Sequence, residues 1–173
     1  MRIFVIMSFE PLTITAQNPG SGHERWMKLA LAEAEKAFDL DEVPIGCVII
    51  QNGRLIAKGH NLTEQLKDAT AHAEMMAITS ASAALESRYL TETTLYATIE
   101  PCPMCAGAIV LARIPHLVFG AYDLKAGACG TLYNIPQDKR LNHQVEVIPG
   151  VLDADCAALM QEYFRRRRPN GSH

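Results

Sequence analysis

The 173-residue chain contains no apolar run of membrane-spanning length, so no membrane-spanning helix is expected. It also lacks a large excess of either charge. Sixteen Lys and Arg against nineteen Asp and Glu leave a net charge of −3. Nothing global therefore advertises an anionic partner, and any nucleic-acid surface must be a local patch. Its cysteines number five, an odd count that argues against a full disulfide framework. The thiols are expected free, buried or on metal, in a reducing cytoplasm. There is no internal repeat and no linker between domains. Apolar residues make up 49% and charged residues 20%, which places the chain among globular domains, and its length fits one domain with a real core. The opening "MRIFVIMSFEPLTITAQNPGSG" makes a poor secretion signal. Ser8, Glu10 and Pro11 break its short apolar run, and Arg2 is its only positive charge. Residues 1–21 are expected to be a poorly ordered extension, or the product of an upstream start codon. Residues 22–168 form the expected domain and residues 169–173 a flexible tail.

What is present is regular. In "HERWMKLALAEAEKAF", Trp26, Leu29, Ala30, Ala34, Ala37 and Phe38 fall at helical spacing with charges between them. "VPIGCVIIQNGRLIAKGHN" reads as two β-rich runs joined by Asn52 and Gly53, the pair that a type I′ hairpin turn requires. A polar loop runs on to Asp68. Thr70 is the expected N-cap of a helix reaching about Leu85. "TTLYATIE" is a strand ending at Pro101, and "PMCAGAIVLAR" a helix directly after it. A strand "HLVFGA", a Gly-rich loop over residues 123–142, a strand "QVEVI" and a helix from Asp153 to about Arg168 complete the pattern. Helices alternating with strands imply an α/β fold with a sheet covered on both faces. The initial hairpin makes that sheet mixed, so a three-layer α/β/α sandwich is expected.

Two predicted helix starts carry unusual residues. Cys102 and Cys105 lie three apart at a strand-to-helix junction, where unpaired N–H groups and the helix dipole favour thiolate over thiol. Alone, the pair is equally readable as a redox couple or as two small packed residues. His72 and Glu74 open another helix, and alone they read as a first-turn histidine and a dipole-favoured carboxylate. Together the two starts, expected at one sheet edge, offer one imidazole and two thiolates, a donor set suited to Zn²⁺ with its fourth position open. A catalytic zinc of this kind activates water near neutral pH, and Glu74 beside it would accept the water's proton and pass it on. The competing readings are a structural zinc and packing without metal. A structural zinc would take its fourth ligand from Cys47, Cys129, Cys156, His60, His116 or His143, none of which lies at ligand spacing from the pair.

The pattern H-x-E … P-C-x-x-C is a general signature of zinc-dependent nucleobase deaminases. From about His23 to Arg168 the chain further resembles the bacterial tRNA-specific adenosine deaminases, within the cytidine deaminase-like superfamily. The resemblance rests on "EVPIG", "GHN", "HAE", "LYATIEPCPMCAGAI", "VFGAYDLKAG", "LNHQVEV" and "CAALMQEYFRRRR". It implies a central mixed five-stranded sheet, one Zn²⁺ per subunit on His72, Cys102 and Cys105, and Glu74 as proton shuttle. It implies hydrolytic conversion of adenosine to inosine at the wobble position of a tRNA anticodon, by a cytoplasmic homodimer. Substrate contacts carried over are Asn61, Asn134, Val43, Pro44 and Ala73, the last through helix-start N–H groups. Asn61 is also readable as a turn residue, and Pro44 as the opening of a strand. RNA contacts carried over are Asp123 and Arg165. Phe164, with Tyr163, adds rings able to stack an unpaired base beside an arginine run. The plainer reading of that run is a solvated basic helix end.

Four features depart from the family pattern: Ala69 before "TAHAE", Leu62 after "GHN", the long N-terminal extension and the acidic net charge. All bear on substrate choice, none on the zinc set or Glu74. Two other classes stay open from sequence. One is a deaminase of a free base or nucleoside of guanine or cytosine type. The other is a non-catalytic, zinc-stabilised RNA-binding protein, for which Glu74 would be dispensable.

Overall fold

The computed structural model describes residues 19–167. Residues 1–18 of the expected extension and the tail from residue 168 lie outside the described residues. The elements are α1 (Pro19–Asp39), β1 (Gly46–Gln51), β2 (Arg54–His60), α2 (Thr63–Leu66), α3 (Ala73–Ala84), β3 (Thr93–Ile99), α4 (Pro103–Leu111), β4 (His116–Ala121), β5 (Glu146–Ile148) and α5 (Asp153–Arg167).

The five strands form one sheet in the order β2-β1-β3-β4-β5. The β1–β2 and β1–β3 pairs are antiparallel, while β3–β4 and β4–β5 are parallel. The sheet is thus mixed, as the hairpin required. Asn52 and Gly53 adopt positive φ at the turn, 49° and 69°, as a type I′ turn demands. Strand β3 sits at the centre with six of its seven residues buried, which is why "TTLYATI" reads as a nearly continuous β-rich run.

One core cluster packs Ala73, Ala77, Ile78 and Ala81 of α3 and Ala106, Ile109 and Val110 of α4 under Cys47, Ile49, Leu95 and Phe119 of the sheet. The opposite cluster packs Trp26, Met27 and Ala30 of α1 and Cys156 of α5 on Val48, Ile50, Tyr96 and Val118. The three-layer α/β/α sandwich follows from these two faces. Small residues let the helices approach closely. A Cβ on Gly59 of β2 would lie 2.3 Å from the Ala73 carbonyl oxygen at the start of α3, so only glycine fits there.

Several boundaries differ from expectation for local reasons. Helix α1 starts at Pro19, before His23. Its inner stripe includes Met27, while Leu29 is exposed and Phe38 half-buried. The loop after β2 contains the one-turn α2. Thr70 does not cap α3: its N–H and hydroxyl both donate to the Asp68 carboxylate, and His72 takes the N-cap position. Strand β5 is only three residues long, because the Val145 N–H turns away to the Pro136 carbonyl.

Candidate active site and metal centre

Helix α3 begins immediately after His72, and α4 immediately after Cys102, whose next residue, Pro103, suits the first helical position. Cys105 follows in the first turn of α4 and is fully buried. The Nδ1 atom of His72 lies 3.6 Å from each of the two thiol sulfurs. Tetrahedral zinc with bonds of about 2.3 Å to sulfur and 2.0 Å to nitrogen would set those atoms about 3.5 Å apart. The three donor atoms all fall within 4.8 Å of one another, and among the described residues no fourth His, Cys, Asp or Glu joins them. The residues present therefore fit a three-ligand zinc.

The electrostatics agree. A hydrogen bond from Cys105 pulls the Cys102 thiol down to about 4, with burial opposing and His72 assisting. The same hydrogen bond, with burial, pushes Cys105 far up. The hydrogen bond to Cys102 raises His72, with burial opposing. A lowered thiol beside a raised imidazole is the pairing that a bound dication would replace.

The other candidate ligands are engaged elsewhere. His60 Nδ1 bonds Glu33, His116 Nδ1 bonds Glu146, and His143 Nε2 bonds the Ile114 carbonyl. Cys47 and Cys129 are packed in one core cluster and Cys156 in the other.

Glu74 stands in the first turn of α3 at 3% exposure. Burial pushes its carboxyl up, while its own backbone N–H and nearby His72 pull part of the way back. Among the described residues only two buried side-chain polar atoms lack a hydrogen-bond partner: Glu74 Oε2 and Asn61 Oδ1. Leaving such atoms unpaired costs about 1–3 kcal/mol each, so these two mark hydrogen-bonding capacity that the described residues do not use among themselves.

Asn61 ends the β2 segment near the same place. Its N–H donates to the Ile45 carbonyl, next to buried Pro44 and half-buried Val43, and the following Leu62 N–H donates to Ala71, one residue before His72. Ala73 is fully buried at the start of α3. Asn134 is exposed, with Nδ2 donating to Gln137, and reaches this end of the sheet through its bridge to Cys129.

The expected RNA contacts split. Phe164, 48% exposed, and Arg165 line a groove of about 470 Å³ with Lys125, Met160, Gln161 and Arg167. Asp123 lies on the loop that brings Lys125 there. However, its carboxylate is used locally, accepting from the Lys125 and Ala126 N–H groups. Arg165 is paired with Glu162, whose carboxyl Arg165 and Arg166 hold down at about 2. Tyr163 is buried, with its hydroxyl donating to the Asp41 carbonyl, so of the two rings only Phe164 is presented.

Two carboxylates escaped sequence reasoning. Glu100, buried just before Pro101 and Cys102, accepts from the N–H groups of Asp123, Cys129 and Thr131 and from the Thr131 hydroxyl, pinning the loop after β4 to the end of β3 that leads into Cys102. Glu42, fully buried, holds the first turn of α2. Each bond spans more than twenty residues, so no local pattern announces it.

The site's geometry agrees with the comparisons to known proteins. A family model described as MafB19-like deaminase matches residues 21–168. The tRNA-specific adenosine deaminase of Streptococcus pyogenes serotype M18 is 52% identical over 143 residues, covering 83% of this chain and 90% of its own. A solved structure from work on A-to-I editing by tRNA:A34 deaminases at the wobble position of transfer RNA superposes with a TM-score of 0.76 at 42% identity, covering 78% of this chain and 98% of its own. A guanine deaminase from Nitrosomonas europaea is more distant, with a TM-score of 0.72 at 25% identity over 81% of this chain and 83% of its own. Matching the deaminase model over nearly its whole length and its relatives at such identity, the chain belongs to the family of the tRNA-specific adenosine deaminases.

Proposed function

We propose that this chain deaminates adenosine to inosine at the wobble position, A34, of a tRNA anticodon, the reaction of the relatives it matches. The observation that carries the reading is one buried carboxylate with an unpartnered oxygen, Glu74 Oε2, beside a soft His/Cys/Cys trio at two helix starts. In this reading His72, Cys102 and Cys105 hold one zinc per subunit. When bound, the zinc supplies Lewis-acid activation of water at neutral pH.

The remaining chemistry belongs to the chain. Glu74, a carboxylate when water enters, takes a proton from that water as its oxygen adds to C6 of adenine. It gives the proton to N1, then moves another to the departing amine, and ammonia leaves as C6 becomes a carbonyl. Burial tunes Glu74 upward, toward a group that can both accept and return a proton. The helix-start N–H groups near Ala73 and Cys102 face developing negative charge. Val43 and Pro44 wall the base, while Asn61 and Asn134 contact its polar edges.

Lys125, Phe164 and Arg165 in the groove are the phosphate and stacking contacts for the anticodon loop, with Asp123 holding the loop that carries Lys125. Residues 22–168 form the catalytic domain. It works as a homodimer, a second copy covering surface side chains such as Leu111 and Leu124, both 79% exposed. No helix among the described residues is long and apolar enough to cross a membrane, and the enzyme works in the cytoplasm with its tRNA.

The test is a substrate panel. Zinc-loaded protein is incubated separately with an anticodon stem-loop carrying A at the wobble position, with adenosine, with guanine and with cytidine. Inosine formed in the stem-loop alone is the expected result. Ammonia released from guanine or cytidine, with an unchanged stem-loop, would replace this reading with that of a free-base or nucleoside deaminase.

A further inference from the structure

Asn61 is at 4% exposure, and its amide sits at the end of a hydrogen-bond chain whose direction is fixed. The chain starts at Glu42, fully buried in the connection between α1 and β1. One carboxylate oxygen accepts the Gln65 N–H at 2.7 Å, and the other accepts the Thr63 hydroxyl at 3.1 Å. Leu62, the residue before α2, has no side-chain capping bond, so Glu42 caps that helix from across the chain.

Glu42 accepts on both oxygens, from the Gln65 N–H and the Thr63 hydroxyl, so Thr63 spends its single hydroxyl proton on Glu42. The Thr63 oxygen can then only accept from its other neighbour. That neighbour is Asn61 Nδ2, at 3.3 Å. Flipping the amide would set Oδ1 against the Thr63 oxygen, two acceptors with no proton between them. Locked in this orientation, Asn61 keeps Oδ1, buried and unpartnered, beside the second N–H of Nδ2.

Resting on the reading of Asn61 as a base contact, we propose that Thr63 and Glu42 are positioning residues that lock the Asn61 amide to read the N6–N7 edge of adenine. That edge presents an N–H donor next to a ring-nitrogen acceptor, the complement of Oδ1 beside N–H. Hypoxanthine and guanine present two acceptors there, so the locked amide disfavours 6-oxopurines, the reaction's own product included. Neither Thr63 nor Glu42 touches the base; both act through Asn61.

The test compares kcat/KM for two anticodon stem-loops, one with adenosine and one with 7-deazaadenosine at the wobble position, the second lacking N7. The wild-type enzyme should lose about tenfold on the deaza substrate, the fold-change of one hydrogen bond. Thr63→Val keeps the shape but removes the hydroxyl, and its penalty should shrink to about twofold, while Thr63→Ser restores it. Glu42→Gln gives Thr63 an amide N–H to accept, frees its proton for Asn61, and should shrink the penalty in the same way with the hydroxyl still present. A merely structural role would slow both substrates equally and leave the ratio unchanged, and that result in both Thr63→Val and Glu42→Gln overturns the proposal. A wild-type ratio near one overturns it as well, because Asn61 then does not read N7. Wild-type enzyme that makes no inosine in the adenosine stem-loop would instead defeat the proposed reaction itself.

Discussion

Two buried glutamates on two sides of the molecule show how this fold separates scaffold from chemistry. Glu33, on α1, is 4% exposed, and Glu74, on α3, is 3% exposed. Glu33 is surrounded by partners: Lys36 Nζ at 2.8 Å, Lys58 Nζ at 3.5 Å and His60 Nδ1 at 3.1 Å. Burial is the largest single influence and would raise its carboxyl, but the Lys36 and His60 hydrogen bonds together with the Lys36 and Lys58 charges hold it below its ordinary value. Glu74 has no cationic cluster and an orphaned Oε2, and burial wins, moving its carboxyl the other way. Both are shielded from solvent, but Glu74 lies deeper, so depth and pairing together give the opposite shifts. A satisfied carboxylate secures a helix, and one with an idle oxygen is, in the proposed reaction, the group that moves protons.

Strand β2 touches both regions through neighbouring residues, Gly59 under α3 and His60 beside Glu33, because successive residues of a strand face opposite sides. That arrangement lets each region be perturbed separately.

The largest effect is expected from the metal trio. Cys102→Ser, or dialysis of the wild type against a strong chelator, should remove both zinc and inosine formation, and zinc added back should rescue only the dialysed wild type. Metal analysis alongside the assay checks this, and full activity in zinc-free protein would break the comparison, since Glu74 would then need no metal beside it.

Next comes Gly59→Ala, whose added Cβ would press on the Ala73 carbonyl between His72 and Glu74. It should lower stability by about 2 kcal/mol. It should also lower kcat by about a hundredfold through displacement of the α3 start, as measured by denaturant melts and single-turnover rates.

Glu33→Gln should spare activity and lower stability by about 1–2 kcal/mol. Because folding lowers the Glu33 carboxyl, its contribution is present above the unfolded value of 4.5 and is lost as the pH falls through the lower folded value. Melting curves from pH 7 to pH 3 should therefore converge for Glu33→Gln and wild type at the acid end.

The smallest effect belongs to Arg165→Ala. Arg165 already shares its charge with Glu162, so KM for the stem-loop should rise only about threefold, with the salt dependence of binding flattened by about one unit of slope.

Much of this architecture was legible because its signals are local. Asn52 and Gly53 mark the hairpin, the alternation of runs gives the layers, and His72, Glu74, Cys102 and Cys105 sit at helix starts that Thr93–Ile99 and the preceding loop announce. What stayed hidden is carried by contacts distant in sequence. Leu62 looks like a poor helix start until Glu42 is seen capping α2 from the other side of β1 and β2. Glu100 reads as the end of a strand until its carboxylate is found holding Cys129 and Thr131. Thr70 has the composition of an N-cap, but Asp68 competes for its hydroxyl and wins. The arginine run reads from sequence as a solvated basic helix end, whereas Glu162 and Asp41 already neutralise part of it.

The most direct measurement pairs two readings on Glu74→Gln: zinc per chain, and the single-turnover rate of inosine formation in the wobble-A stem-loop. The account predicts one zinc per chain, an undiminished melting temperature, and a rate lower by about a thousandfold or more, because the amide fills the same buried space but cannot relay a proton. A zinc-loaded Glu74→Gln protein that forms inosine within about tenfold of the wild-type rate would contradict it, since that is far less than a lost proton relay costs.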